Sequence, residues 1–166
     1  MKQVLIFFIL LLFSFPISGQ NYFPDQCTGV WEGLMTIYAN GLAKDSVPVK
    51  MTIEKVPDTL IWKWKTEYLS EKYPITKDYK LILEDPSSNR YLLDENNGIF
   101  LYAYVYGNKM YSNFEVEGTY INSVYILTGD KLRFEITSGK ESGMTANDIR
   151  NFSILNLQQS ILKRKN

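Results

Sequence analysis

Side chains suited to nucleophilic or acid-base catalysis are few in this chain of 166 residues. It contains no histidine and a single cysteine, Cys27. Pairs in which a histidine activates a serine or cysteine therefore cannot form, and neither can a zinc site that includes histidine. Only carboxylate, tyrosine, lysine and serine chemistry is left. The composition accordingly predicts a protein that is not an enzyme and holds no metal and no cofactor.

One acidic pair, Asp94-Glu95, stands outside any clearly alternating segment. Two carboxylates in different environments can perform acid-base chemistry on sugars. The other interpretation is a solvated turn, which the neighbouring Asn96, Asn97 and Gly98 favour because these residue types are common in turns. We therefore expect a turn here and no catalytic site.

The residue types are better suited to a binding pocket. Large aromatic residues recur on one predicted face of the sheet beside small and hydroxyl-bearing residues. Such a mixture leaves gaps and provides a few orienting hydrogen bonds, as small-molecule pockets do. The alternative, which the sequence leaves open, is that the aromatic rings fill their own interior. The predicted ligand-binding residues are Trp62, Trp64, Tyr79, Tyr91, Ser112, Phe114, Tyr125 and Phe134.

A β-hairpin predicted over residues 98–116 decides which side chains face inward. Gly107-Asn108 is a favoured two-residue turn. Pairing outward from it places the aliphatic residues on one face and Asn113 and Glu115 on the other, so the aliphatic face is interior. The predicted pairs are Tyr106–Lys109, Val105–Met110, Ala103–Ser112, Leu101–Phe114 and Ile99–Val116.

The same hairpin places an aromatic stripe on the outer face. Contiguous exposed aromatic residues often mark an interface, so a homodimer or a docked partner is one expectation. The alternative is that tyrosines on a sheet simply satisfy β-propensity and pair across strands. The predicted stripe consists of Phe100, Tyr102, Tyr104, Tyr106 and Tyr111.

Alternating segments fill the rest of the chain from Thr28 onward. A second hairpin over residues 119–138 turns at Gly129-Asp130, residues 139–150 are predicted to be a polar loop, and residues 152–164 a closing strand of unassigned facing. With no internal helix expected, the pattern predicts an all-β, antiparallel up-and-down β-barrel of about ten strands. Closure is favoured over a sandwich because it removes exposed edges.

The N-terminal residues 1–19 have the order of a secretory signal peptide, with one lysine, a long apolar run and then small residues. We therefore expect an exported protein whose residues 20–166 form one barrel domain without a membrane span. A lone cysteine excludes an internal disulfide. Without Lys2 the remainder has 17 basic and 18 acidic residues, which argues against a nucleic-acid partner.

Residues 29–33 read Gly-Val-Trp-Glu-Gly and open the first predicted strand. This motif resembles the Gly-x-Trp opening of the calycins, which include lipocalins, fatty-acid-binding proteins and nitrobindin-like barrels, and is most similar to the nitrobindin-like form. The resemblance implies that Trp31 closes one barrel end beneath Arg164 or Lys163. Nitrobindin-like barrels hold haem through a histidine, which is absent here, so such haem binding is not expected.

The leader and the opening residues also resemble those of secreted lipocalin-like proteins of Bacteroidetes. These observations together predict an exported, lipocalin-like barrel that binds a small, largely apolar ligand in an aromatic-lined interior. The alternative is an interaction module that uses the outer tyrosine stripe and binds no ligand.

Overall fold

The strands of the protein close into an antiparallel barrel. The computed structural model describes residues 21–146 and 149–165. Its elements are α1 (Phe23–Cys27), β1 (Gly29–Ala39), β2 (Leu42–Lys55), β3 (Ile61–Tyr68), β4 (Ile75–Asp85), β5 (Arg90–Asp94), β6 (Phe100–Tyr106), β7 (Lys109–Val116), β8 (Thr119–Thr128), β9 (Lys131–Ala146), β10 (Ile149–Phe152) and β11 (Asn156–Arg164). Strands β1 to β9 pair in chain order, and β11 closes the ring between β9 and β1. The predicted all-β up-and-down barrel of about ten strands is confirmed.

The first and last strands of the ring pair directly with each other. β1 and β11 pair from Trp31 opposite Arg164 to Ala39 opposite Asn156. Gly33 stands opposite Leu162, and a Cβ atom at Gly33 would collide with the carbonyl oxygen of Ile161. The absence of a side chain at Gly33 therefore permits the closing contact. Within β11, Ser160 and Leu162 are buried and Ile161 is exposed. The even-numbered residues of the closing strand therefore face the barrel interior.

The two hairpins predicted from glycine turns have the expected facing. Across Gly129-Asp130, Leu127 pairs with Leu132 and Tyr125 with Phe134, as predicted. Across Gly107-Asn108 the pairs Tyr106–Lys109 and Val105–Met110 are also confirmed. The aliphatic face of this hairpin is interior, since Ala103, Val105 and Met110 are buried while Tyr102 and Tyr106 are exposed.

The β6–β7 ladder is shorter than predicted. It ends at the pair Tyr104–Tyr111, so the predicted pairs Ala103–Ser112, Leu101–Phe114 and Ile99–Val116 lie outside it. Beyond this point the Ser112 hydroxyl donates to the Tyr102 carbonyl oxygen at 2.7 Å. A side-chain hydroxyl thus makes a cross-strand bond where the regular main-chain ladder stops, which alternation alone could not reveal.

The prediction of a polar loop over residues 139–150 is wrong for the residues described. β9 continues to Ala146, and β10 pairs with its distal part outside the ring. Gly139 is buried where the chain returns, and a Cβ atom there would collide with the Ser153 carbonyl oxygen. Residues 141, 143, 149, 150, 151 and 152 are all exposed, so this hairpin lacks the alternating apolar face that identifies a strand.

The expectation of no internal helix is also wrong, because α1 packs against one end of the barrel. Phe23, Pro24 and Cys27 are buried, with the proline in the first turn where it costs no hydrogen bond. Asp25 accepts hydrogen bonds from the Tyr22 amide at 3.3 Å and from Trp62 Nε1 at 2.9 Å. Five residues are too few to show helical periodicity in a sequence. No helix in the described part of the chain is long and apolar enough to cross a membrane.

We call the end that α1 covers the base, and the opposite end the mouth. At the base, the fully buried Trp31 donates its indole N–H to the Cys27 carbonyl oxygen at 2.8 Å. The Arg164 guanidinium lies 4.1 Å from the centre of the Trp31 ring, whereas Lys163 is exposed on the outer face. Arg164 also donates to the carbonyl oxygens of Gln26, at 2.7 Å, and Thr28. The base is therefore closed by ring, cation and main chain together.

The thiol of Cys27 is enclosed in the base. It is free and fully buried, as expected from the absence of a second cysteine. Burial raises its pKa to about 12, although the Arg164 charge acts in the opposite direction. The protonated thiol is therefore packed as a small apolar group.

Arg164→Met should lower the free energy of unfolding by about 3 kcal/mol, because it removes two charged hydrogen bonds and the cation–π contact. Lys163→Met, at the exposed neighbouring position, is the matched control and should change it by less than about 0.5 kcal/mol. Urea denaturation followed by tryptophan fluorescence measures both. Equal effects of the two substitutions would contradict the role assigned to Arg164.

Candidate functional site

The predicted ligand-binding residues lie at different heights inside the barrel. Trp62, Trp64, Tyr91 and Phe134 are fully or almost fully buried, and Ser112 is buried. Three others retain more accessible surface, namely Tyr79, Phe114 and Tyr125. Tyr125 is only partly buried, although its ring packs against those of Trp64 and Phe134. The structure therefore divides the predicted set into a packed part and a part with free surface.

Ring contacts connect the lower members of this set to the base. Trp62 packs edge-on against Tyr91, with 6.1 Å between ring centres, and against Tyr22, at 5.9 Å. Its N–H is bonded to Asp25, and the Lys55 ammonium lies 3.0 Å from the same carboxylate. Trp62 and Tyr91 therefore fill the barrel just above α1.

A second aromatic group occupies the middle of the barrel. Trp64 meets Tyr125 edge-on at 5.4 Å between ring centres, and Tyr125 contacts Phe134 at 5.7 Å. Trp64 Nε1 is buried and makes no hydrogen bond. The indole lies close enough to the Tyr125 hydroxyl to oppose the rise in the pKa of Tyr125 that burial causes. A buried donor without an acceptor is uncommon and is most readily satisfied by a water or a bound group.

Above these rings, a cavity of about 300 Å³ opens at the mouth. Met35 and Ile37 of β1 and Val47 of β2 form one wall. Tyr68 of β3 and Ile75 and Lys77 of β4 form the other. The remaining lining residues are Asp45, Ser70, Tyr73 and Gln158. None of the eight predicted residues lies in this lining, so their role in binding stays a prediction. Sequence alternation places Tyr68 inward with Trp64, but only the structure shows that it lies at the mouth.

The interior tyrosines resist ionisation. Burial raises the pKa of Tyr68 and of Tyr125. Burial also raises the pKa of Tyr79, and the Glu95 carboxylate raises it further by charge repulsion and by accepting a hydrogen bond. The Lys77 ammonium lies 6.0 Å from the Tyr79 ring. These hydroxyls therefore remain neutral hydrogen-bond donors at physiological pH.

Asp94 and Glu95 are neighbours in one turn, but their carboxylates interact with different partners. Asp94 accepts a hydrogen bond from the Asn96 amide at 2.8 Å and thereby shapes the turn. Glu95 interacts instead with the inward-facing Tyr79. The pair is a turn element, in line with the interpretation that the residue types favoured.

The outer tyrosine stripe is only partly exposed. Tyr102 and Tyr106 have 52% and 67% of their surface accessible, while Tyr104 and Tyr111 are half-buried. The Tyr106 and Tyr111 rings lie 6.4 Å apart. The Arg90 guanidinium lies 5.3 Å from the Tyr102 ring and is also bonded to Glu84 at 2.8 Å. Cross-strand and cation–π contacts thus use part of this aromatic surface.

Raising the pH above about 10 should destabilise the protein through the interior tyrosines. The unfolded chain ionises first, near the ordinary tyrosine pKa, so stability is lost from there up to the raised folded pKa. Urea unfolding at a series of pH values should give a shallower loss for Tyr125→Phe than for the parent. Tyr73→Phe, at a side chain that is 75% exposed, is the matched control. An unchanged alkaline slope in Tyr125→Phe would refute this explanation.

Comparison with known proteins relates this chain to others by structure alone. No family model matches it, and no curated protein sequence does. The S-type phycobiliprotein lyase CPES from Guillardia theta superposes with a TM-score of 0.64 at 11% identity, covering 87% of this chain and 91% of that one. Rv2717c from M. tuberculosis superposes with a TM-score of 0.54 at 11% identity, covering 84% and 92%.

A third similar structure is a protein of unknown function from the DUF3598 family of Nostoc punctiforme. It gives a TM-score of 0.59 at 14% identity, and the match covers 86% of this chain but 49% of that one. Identities this low carry information about the fold and not about activity. The chain therefore has a calycin-like barrel fold.

Proposed function

We propose that this protein binds a small, largely apolar molecule in the cavity at the barrel mouth and performs no catalysis. The observation that carries the proposal is the contrast between a packed base and an open cavity of about 300 Å³ above it. A barrel that needed only to be stable could fill both halves with side chains. The general likeness to other calycin-like barrels supports a binding role.

The chemistry of the lining favours an apolar body with few polar groups. Met35, Ile37, Val47 and Ile75 offer hydrocarbon surface, which supplies most of the binding free energy in such cavities. Asp45 and Lys77 carry opposite charges, so the lining favours neither a strong anion nor a strong cation.

Hydroxyl and amide groups supply the means of orienting such a molecule. Tyr68, Ser70 and Gln158 stand in the lining among the apolar side chains. The buried Trp64 N–H and the Tyr125 hydroxyl lie deeper in the barrel. A molecule with one hydrogen-bond acceptor at its inner end would satisfy such donors.

The proposal includes export of the protein with residues 1–19 removed. It is supported by the order of charged, apolar and small residues in that segment, which lies outside the residues that the structure describes. A relationship to secreted lipocalin-like proteins of Bacteroidetes likewise stays a prediction from sequence resemblance. Intact-mass measurement of the protein from its native host would show whether the leader has been cleaved.

Blocking the cavity should abolish binding of a hydrophobic probe. Ile37 lines the cavity, whereas its neighbour Thr36 faces outward between Ser46 and Gln159. Titration with Nile red should give a saturable rise in probe emission with the parent protein. We expect Ile37→Trp to weaken binding at least tenfold, because the larger ring occupies the cavity, and Thr36→Trp to leave it within about twofold.

Two outcomes would reject the proposed function. One is the absence of any saturable emission change with the parent protein. The other is equal weakening by Ile37→Trp and Thr36→Trp, which would place the probe elsewhere on the surface. Unfolding curves for both variants would show that the barrel is intact.

The second candidate is an interaction module built on the outer tyrosine stripe. The observation in its favour is the exposure of Tyr102 and Tyr106 on one strand face, on either side of the half-buried Tyr104. Against it stands the engagement of the stripe by Arg90 and by neighbouring rings. The exposed apolar area is therefore smaller than the residue types alone would indicate.

If the stripe mediates self-association, Tyr106→Ser should shift the sedimentation coefficient of the protein from dimer to monomer. Tyr73→Ser, at an exposed tyrosine in a loop at the mouth, is the matched control. A parent protein that sediments as a monomer at all concentrations tested would eliminate homodimerisation through the stripe.

A further inference from the structure

Exposed apolar side chains are concentrated at one end of this barrel. Among the described residues, twelve of the exposed large apolar side chains lie in the five connections at the mouth, counted together with the strand residues that flank them and with β10, and five lie elsewhere. We call these connections the rim. The rim consists of residues 40–42, 69–75, 96–100, 116–120 and 149–155. Its exposed apolar residues are Leu42, Leu69, Tyr73, Ile75, Ile99, Phe100, Val116, Tyr120, Ile149, Phe152, Ile154 and Leu155.

The turns at the base have the opposite character. The base turns between strands read Val56-Pro57-Asp58-Thr59-Leu60, Pro86-Ser87-Ser88-Asn89, Gly107-Asn108 and Gly129-Asp130. The exposed large apolar side chains in or beside them are Leu60 and Tyr106. Ends of a barrel that both face water have no reason to differ in this way. The asymmetry therefore marks the mouth as a surface with a different neighbour.

We propose that the rim docks on the surface of an uncharged lipid layer, so that the cavity opens directly onto it. Each of the five connections contributes at least one exposed apolar side chain, with up to 75% of its surface accessible at Tyr73 and 69% at Ile154. Such side chains can enter the interfacial region of a bilayer without the shape matching that a protein partner requires. Tyr120 and Phe152 would enter as a pair, because their rings pack with 4.1 Å between centres. The tyrosines at positions 73 and 120 suit the boundary between headgroups and hydrocarbon.

The charges around the rim specify the kind of lipid. Asp94, Glu95, Glu115 and Glu117 stand in or beside two of the connections, and no lysine or arginine accompanies them there. In residues 40–46 and 69–78, acidic and basic residues are equal in number, and the fifth connection carries the exposed Arg150. Lys80 stands opposite Asp94 in the β4–β5 ladder, so the acidic excess around the rim is small. A mildly acidic rim is repelled by anionic lipids, so apolar insertion into a zwitterionic surface is the remaining mode of attachment.

The position of the cavity gives this surface a use. The cavity is bordered by Tyr73 and Ile75, which belong to the rim as well. A molecule entering the cavity from a lipid layer would thus pass along apolar side chains without crossing bulk water. The docking proposal does not rest on the proposed binding function, because the rim can bind lipid whether or not the cavity holds a ligand.

The test is cosedimentation of the chain beginning at Gln20, which contains every strand of the barrel, with phosphatidylcholine vesicles. We expect saturable partitioning that changes little with salt. The double variant Leu42→Ser with Ile154→Ser should weaken it about tenfold, because two largely exposed apolar side chains are lost from the contact. The matched control is Leu34→Ser with Ile161→Ser, an exposed aliphatic pair on the barrel side, which should leave partitioning unchanged.

Several outcomes would overturn the proposal. They are no partitioning of the parent chain, equal losses in the rim and side variants, and stronger binding to vesicles with anionic lipid that disappears in salt. Sedimentation of the parent as a dimer that the rim variant dissociates would assign the rim to self-association instead. Nile red titration of the same variants keeps the two proposals apart, because the rim substitutions should leave probe binding in the cavity unchanged.

Discussion

The placement of one cation, the Arg164 guanidinium, determines how the barrel is closed. It lies against the Trp31 ring on one side and donates to main-chain carbonyl groups of Gln26 and Thr28 on the other. The last strand, the first strand and α1 are thereby joined at a single point. Arg164 thus joins segments more than a hundred residues apart in sequence, at the end of the β1–β11 ladder that closes the ring.

Closure at the base explains why space remains at the mouth. Trp31, Trp62 and Tyr91 concentrate the bulkiest buried side chains at the end that α1 covers. The interior positions nearer the mouth carry a mixture of aliphatic, tyrosine and polar side chains, such as Ile37, Tyr68 and Gln158. A ten-stranded ring is wider than small and medium side chains can fill. The cavity is therefore a result of the distribution of side-chain volume along the barrel axis.

Sequence patterns were sufficient for the barrel and for the facing of its hairpins, since period-two alternation and glycine turns act locally. Gly107 and Gly129 fixed the register next to each turn, and the burial of Ala103 and Met110 follows from it. Helix α1 was not predicted, because five residues are too few to show helical periodicity. The β9–β10 hairpin was not predicted because all four side chains of β10 are exposed, so that strand shows no alternation.

The site was harder to predict than the fold. Aromatic residues on the inner face were expected to line a pocket, yet alternation says which face a residue occupies and nothing of its height in the barrel. Trp62 lies at the base through its bond to Asp25, a contact between residues 37 positions apart. Tyr68 and Ile37 line the cavity because their strands happen to end at the mouth. Such positions depend on the register of the whole ring.

The close pairing of β1 with β11 across Gly33 also has a consequence for biogenesis. The ring cannot form until β11 has been synthesised, because β11 follows every other strand of the ring in the chain and supplies the pairing partner of β1. Contacts between such distant segments are slow to form. Until β11 has been made the sheet therefore stays open, and an open chain is the state that a translocation channel must receive if a protein is to be threaded across a membrane.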